Sequence, residues 1–187
     1  MARTPLPSST QGRPCREKGF SLGEALTATA VVAILAATAV PGFARILEHQ
    51  RTSATIHLLT AQLASARSTA ITRRVPVTLC PSDGSGQCRA DRDWSRGWLM
   101  YVDPGRKSQP MAPVHVLRNE VAPASSRVFV RSSSGRALVR FAADGRSPGS
   151  NVTLNVCSKE RLLASIVINN VGRVRSQRSK AALPCPA

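Results

Sequence analysis

The chain has 187 residues, a formal net charge of +16 and only 4% aromatic residues. That length accommodates one small globular domain beyond a membrane-length segment, with a core resting on Val, Leu, Ile and Ala. No G-x-S-x-G, Walker loop, H-E-x-x-H or meaningfully spaced carboxylate pair occurs, and His49, His57 and His115 lack Cys or acid partners, which argues against an enzyme.

The chain opens with a short basic leader, Arg3, Arg13, Arg16 and Lys18, that ends at Gly19. Residues Phe20 to Phe43 follow with no charge except Glu24. As a helix they extend about 36 Å at roughly 1.5 Å per residue, enough to span a hydrocarbon core of about 30 Å. Thr27, Thr29 and Thr38 can return their hydroxyls to the helix backbone. The run is too long for an ordinary signal peptide, and no small-residue cleavage site closes it before Arg45 and Glu48. The positive-inside rule places the leader in the cytoplasm and the rest outside. Glu24 is the exception: an acid at membrane depth costs about 2.5–3.5 kcal/mol at mid-bilayer and less near the interface.

Gly19, Phe20, Leu22, Glu24 and Pro41 together resemble the processing site and first helix of type IV prepilins and type II secretion pseudopilins. Gly23 departs from the bulky apolar residue usual at its position. The resemblance implies that a prepilin peptidase cuts after Gly19 and that the new N-terminal Phe20 is N-methylated. Glu24 would then pair with the amine of a neighbouring subunit's Phe20 during assembly. Pro41, a frequent proline position in pilins, tends to kink a helix because it removes one hydrogen bond. The implied domains are a cleaved leader at 1–19, a transmembrane half-helix at 20–43 and a periplasmic or extracellular domain at 44–187. The protein would lie in the bacterial inner membrane as a single-pass subunit, its N-terminus cytoplasmic, until assembled.

Of the five cysteines, Cys15 lies in the leader, and four remain in a disulfide-permissive compartment. Three pairings are possible. We favour Cys80–Cys88, closing a short Gly-rich loop, and Cys157–Cys185, tying the tail back to a strand. Zinc is the rival reading, disfavoured because no C-x-x-C occurs and the histidines are scattered.

The helix is expected to continue to about Thr72, because Ile56, Leu59, Leu63, Ala66 and Ala70 form one apolar stripe suited to packing on a sheet. Arg73 and Arg74 suit the C-terminal end of the helix dipole, and Pro76 stops continuation. Strands follow. Val75, Val77 and Leu79 alternate with Pro76, Thr78 and Cys80. Trp98 to Val102 is a strong signal, and Val114 to Leu117 and Arg127 to Arg131 are weaker. Leu138 to Phe141 leads into the turn Ala143-Asp144-Gly145-Arg146. Val152, Leu154 and Val156 alternate, and Leu162 to Ile168 precedes the turn Asn169-Asn170-Val171-Gly172 and then Arg173-Val174-Arg175. The fold class is α+β: one long N-terminal helix packed on about seven or eight short antiparallel strands. Trp94 and Trp98 are expected to cap the core rather than stack on nucleobases.

Charge is uneven. Residues 20–121 carry net +4, whereas residues 122–187 carry 11 basic and 2 acidic groups, net +9. Such a region favours an anionic partner. Cys80 with its Gly/Ser-rich loop to Cys88, then Asp93-Trp94-Ser95-Arg96-Gly97-Trp98, look like the GspH/FimT family of minor pilins and pseudopilins. Cys157, Ile166-Val167-Ile168, Gly172-Arg173-Val174-Arg175 and Cys185 extend the likeness over nearly the whole mature chain. The resemblance is closest to FimT-like minor pilins and implies DNA binding for uptake in natural transformation, through the Gly-Arg-x-Arg segment. In a strand, Arg173 and Arg175 would share one face, with Arg178 and Lys180 extending the patch and Arg161 joining from a neighbouring strand. The expected partners are other pilins, the prepilin peptidase, the inner membrane and DNA, with no cofactor and no small-molecule substrate. The alternative is a minor pseudopilin of a type II secretion system that contacts other pseudopilins and secreted proteins.

Overall fold

The computed structural model describes residues 19, 21–122, 128–181 and 183–186, excepting the side chains of Pro41 and Arg45. Residues 1–18 with Cys15, Phe20 and Arg127 lie outside the described residues. The chain divides into two compact units, Met1–Phe43 and Ala44–Ala187.

Helix α1 runs Leu22–Arg73. Ser21 begins it: its Oγ accepts from the Glu24 amide at 3.2 Å, and its carbonyl accepts from the Ala25 amide. In the first unit Leu26, Val32, Leu35 and Val40 are each more than half exposed, so no protein covers the apolar surface. By length and composition this helix suffices to cross a membrane. Thr27, Thr29 and Thr38 donate their hydroxyls to carbonyls three or four residues back, as their positions predicted. Pro41 falls inside the helix, which continues without a break in assignment.

Among the described residues, the second unit contains eight strands in two antiparallel sheets. β1 (Val77–Pro81), β2 (Gly97–Val102), β3 (Val116–Val121) and β5 (Val139–Phe141) form one sheet in the order β3-β2-β1-β5. β4 (Val128–Ser132), β6 (Val152–Ser158), β7 (Arg161–Ile168) and β8 (Val174–Arg178) form the other in the order β4-β6-β7-β8. The predicted stripe on α1 is the centre of the core: Ile56, Leu59, Leu63, Ala66 and Ala70 are all at most 4% exposed. They pack with Val77, Leu79, Trp98, Met100 and Phe141 of the first sheet and with Val130, Leu154, Val156, Ile166 and Ile168 of the second. Trp94 and Trp98 are fully buried in this cluster, which satisfies the expectation of a core role.

Two expectations change. The alternation was expected to begin a strand at Val75. β1 instead starts at Val77, and all five of its residues are buried. Its second face is covered too, by a small cluster of Cys80, Leu99 and Tyr101 with Cys88, Val116 and Leu138 against it. Val114 lies in the 3-10 turn Pro113–His115, and the strand continues instead to Val121. A proline at the start of that turn lacks the amide a ladder needs. The Val128–Ser132 strand fits the last part of the predicted Arg127 to Arg131 segment.

Both favoured disulfides are present, Cys80–Cys88 and Cys157–Cys185, with Cα–Cα separations of 5.5 and 6.0 Å. The four cysteines outside the leader are thereby unavailable as thiolate metal ligands. Each bridge contributes about 2–4 kcal/mol on a loop-entropy argument. A second buried network sits under β1 and β5. Asp103, only 1% exposed, accepts from Thr78 Oγ1 at 2.8 Å, Arg140 Nε at 2.9 Å and the Lys107 amide at 2.6 Å. Arg140 and the Tyr101 hydroxyl both donate to the Lys107 carbonyl at 2.9 Å, which pins the loop after β2.

Tyr101 is the chain's one tyrosine. Burial, and then the nearby Asp103 carboxylate, push its hydroxyl up to about 12 from the ordinary 10.0. Its folded pKa exceeds its unfolded one, so this contribution to stability is complete below pH 10 and is lost as pH rises towards 12. Tyrosinate absorbance should therefore appear near pH 12 in the folded protein and near pH 10 in denaturant. Coincident titrations in the two states would contradict the buried hydroxyl.

Candidate nucleic-acid interface

The Gly-Arg-x-Arg segment sits where β7 turns into β8. The turn is closed by local bonds: the Gly172 amide donates to the Asn169 carbonyl at 2.9 Å, and the Arg173 amide donates to Asn169 Oδ1 at 2.8 Å. Gly172 has a φ of +80°, a left-handed conformation that favours glycine. It is also pressed against the first sheet. A Cβ at 172 would stand 1.9 Å from the Gly145 carbonyl oxygen, an impossible contact. That same carbonyl accepts from Arg67 Nε of α1 at 3.0 Å, and Arg67 also donates to the Val171 carbonyl at 3.3 Å. The Ser147 amide completes the junction by donating to the Asn170 carbonyl at 3.0 Å. One helix arginine thus joins a turn from each sheet, and Arg173 projects from that junction.

Arg173 is on the turn, one residue before β8 begins, whereas Arg175 is within it. Both are exposed, and Val174 between them packs against the core, so the predicted alternation around Val174 is present. Among the described residues neither guanidinium has a hydrogen-bond or ion-pair partner. A cavity of about 350 Å³ runs beside Arg173, lined by Ala64, Arg67, Ser68, Ile71 and Val174 among others.

The other three cations do not extend this patch evenly. Arg178 shares the strand parity of Val174 and therefore turns towards α1. Its Nη2 donates to Ser53 Oγ at 2.9 Å, and its Nη1 lies 3.4 Å from His49 Nε2. Arg161 lies at the far end of β7 and bridges to Pro184 of the tail. With Arg178 and Glu48 it borders a cavity of about 310 Å³ instead of the face carrying Arg175. Lys180 is exposed just past β8. Sequence reasoning missed Arg146. It is exposed on the Gly145 turn, and the Gly145–Gly172 contact brings that turn to the Arg173 turn. Asp144 is exposed on the same turn and holds the Arg146 amide at 3.0 Å. Only the long-range contact between two glycine turns reveals Arg146, and no local spacing signals it. Gly19, expected at the cleavage site, is exposed with no atom within 4 Å of a would-be Cβ, and Glu24, expected in assembly, lies exposed in the first turn of α1.

A further ionic group lies in the loop between β1 and β2. Arg89 binds both Asp91 oxygens; this guanidinium, chiefly by hydrogen bonding, holds the Asp91 carboxyl below the usual range. It orders the loop and lies apart from Arg173 in sequence and sheet.

The family model described as type II transport protein GspH matches residues 55–172. The match ends at Gly172, so Arg173 and Arg175 lie just beyond it. Two crystal structures of the Pseudomonas aeruginosa type IV minor pilin FimU share the fold, with TM-scores of 0.58 and 0.54 at 21% identity. They cover 74% and 72% of this chain and 95% and 96% of their own. No curated protein sequence matches it.

The junction predicts that Gly172→Ala lowers stability by about 2 kcal/mol or more, since both the positive φ and the Gly145 approach are lost. A urea midpoint measures this; an unchanged midpoint would show that the two turns do not touch.

Proposed function

Because this chain belongs to the GspH family of minor pilins and pseudopilins, subunits of filaments rather than enzymes, we propose that it is a type IV minor pilin that binds DNA without sequence preference for uptake in transformation. The observation that carries this reading is the exposed, unpaired pair Arg173 and Arg175 on a region of net +9. Backbone phosphates are the anions such a pair fits. Contacts of this kind position a duplex without reading its bases. Arg146 joins Arg173 at the turn contact and Lys180 adds a charge past the other end of β8, while Arg178 serves the contact between β8 and α1.

The membrane half of the reading follows from the N-terminal residues. The prepilin peptidase removes residues 1–19, Phe20 becomes the methylated N-terminus, and Glu24 neutralises the amine of a neighbouring subunit within the bilayer. Residues 20–43 then span the inner membrane, and residues 44–187 face the periplasm before assembly with other pilins. The uncovered apolar surface of the first unit supports this placement. A second reading, a type II secretion pseudopilin contacting pseudopilins and secreted proteins, is favoured by the description of the matching family model. It gives no role to the charge after Glu120.

Duplex binding by the detergent-solubilised protein should weaken linearly in log K against log salt, with a slope of about −3 to −4 for four phosphates neutralised. Changing Arg173 and Arg175 to Gln should reduce the slope by about 2 and leave the thermal midpoint unchanged. Equal affinity and slope in the double variant would remove these arginines from the interface. Mass spectrometry of the membrane form should find the N-terminus at methylated Phe20; an intact leader beside active prepilin peptidase would refute the processing step.

A further inference from the structure

The sheet β4-β6-β7-β8 buries one face on α1; on the other, Asn155 and Cys157 are buried, Thr153, Ser165 and Val167 are half-buried, and Phe129, Arg131, Arg175 and Gln177 are exposed. Register identifies this outer face. Arg175 lies level with Val167 and Thr153, and Gln177 lies level with Ser165, Asn155 and Arg131. Phe129 lies level with Cys157 in the following row. Phe129 is the anomaly. Its neighbours Val128 and Val130 point inward at 5% and 1% exposure, while Phe129 points outward at 48%. Alternation along a half-buried strand calls for a polar residue there.

The aromatic does not stand on open surface. It lines a depression of about 590 Å³. One rim is the segment carrying Asp93 and Ser95, held on β4 by the bonds Trp94 N to Val130 O at 2.8 Å and Ser132 N to Arg92 O at 3.0 Å. The other rim is the tail, held by the Cys185 amide on the Glu160 carbonyl at 2.7 Å and by Cys157–Cys185. Arg131 and Lys159 line the depression, and so do Asp93 and Glu160, so the cations outside it, Arg175 above all, supply the net positive charge. The rows from Arg175 to Arg131 contain no carboxylate; Asn155 is buried and accepts from Ser165 Oγ at 3.1 Å, and Thr153 and Gln177 are the polar side chains left to meet sugar and base edges. Arg175 on β8 stands about 14 Å from β4, across three strand spacings.

An aromatic side chain on the outer face of an antiparallel sheet, with arginines in reach and polar residues between, suits one partner chemistry. Unpaired bases stack on the ring while the guanidiniums hold phosphates. A duplex cannot offer a base face to Phe129 without unstacking. The apolar area, one phenyl ring with Val130, Pro184, Pro186 and the Cys157–Cys185 bridge, is small for a stable protein contact. We propose that the outer face of this sheet is a stacking platform for single-stranded nucleic acid, with Phe129 as the stacking residue and Arg131 and Arg175 as phosphate contacts. This rests on the reading of the chain as DNA-binding and extends that surface, through the shared Arg175, into a strand-selective one.

The test uses the full-length chain in detergent micelles and fluorescence anisotropy with a labelled oligothymidylate and a labelled duplex at one salt concentration. Phe129→Ala should weaken single-strand binding about tenfold and leave duplex binding unchanged. Phe129→Trp should retain single-strand binding, and its exposed indole should be quenched as the strand saturates. Undiminished single-strand affinity in Phe129→Ala, or an unquenched indole at 129, would overturn the platform while leaving duplex binding through Arg173 intact. If the wild-type chain binds neither probe, both readings fall. If Phe129→Ala instead abolishes copurification with other filament subunits and nucleic-acid affinity holds, the face is a protein interface and the platform is refuted.

Discussion

The soluble unit depends on one constraint: two four-stranded sheets bury their inner faces on the same helical stripe. Neither sheet closes on itself, and aromatics are scarce, so each needs α1 to exclude water from its Val, Leu and Ile side chains. Ile56, Leu59 and Leu63 supply bulk, while Ala66 and Ala70 let the sheets approach closely where the helix ends. Truncating such a buried leucine costs about 2–5 kcal/mol, and enlarging the alanines would overpack the contact. The same helix carries a different surface before Phe43, predominantly apolar apart from Glu24 and three threonines, and exposed. One continuous secondary structure is therefore built for two surroundings.

The clamp between Arg67, Gly145 and Gly172 turns that packing into a defined functional edge. Gly145 and Gly172 both have positive φ, and their turns meet at a distance no side chain permits. Arg67 satisfies two carbonyls at this junction that would otherwise lack a partner from the helix. The glycine of the Gly-Arg-x-Arg segment is thus explained by backbone geometry, and the arginines by their exposure beyond it. The segment combines a structural residue with two surface cations, so equal weight on all its positions would misassign the glycine.

Much of this was legible because its cause is local. The stripe at spacings of three and four, the end of α1 near Pro76 and the strands around Val152 and Leu162 follow from side-chain periodicity, whereas the disulfide pairing was one favoured choice of three that the structure then decided. The face of each cation was less legible. Arg175 and Arg178 are three residues apart on one strand and so point to opposite sides, which strand periodicity already implies. What it cannot say is that Ser53 and His49 wait on the side Arg178 takes. Likewise the alternation of Val75, Val77 and Leu79 was real, but its polar-looking partners Thr78 and Cys80 were buried by Tyr101, Leu99 and the loop that Asp103 and Arg140 hold in place.

By itself the sequence determined the long helix, its apolar first half with one acid at Glu24, the class of fold and the electropositive final third. These depend on residue type and near-neighbour spacing, which a linear pattern records. Only the tertiary structure decided which cations share a surface, how Arg146 comes to the Arg173 turn, and why Phe129 faces outward into a rimmed depression. Those outcomes depend on contacts between segments tens of residues apart, where register, turn geometry and the shared helix choose among arrangements that the local pattern leaves equally open.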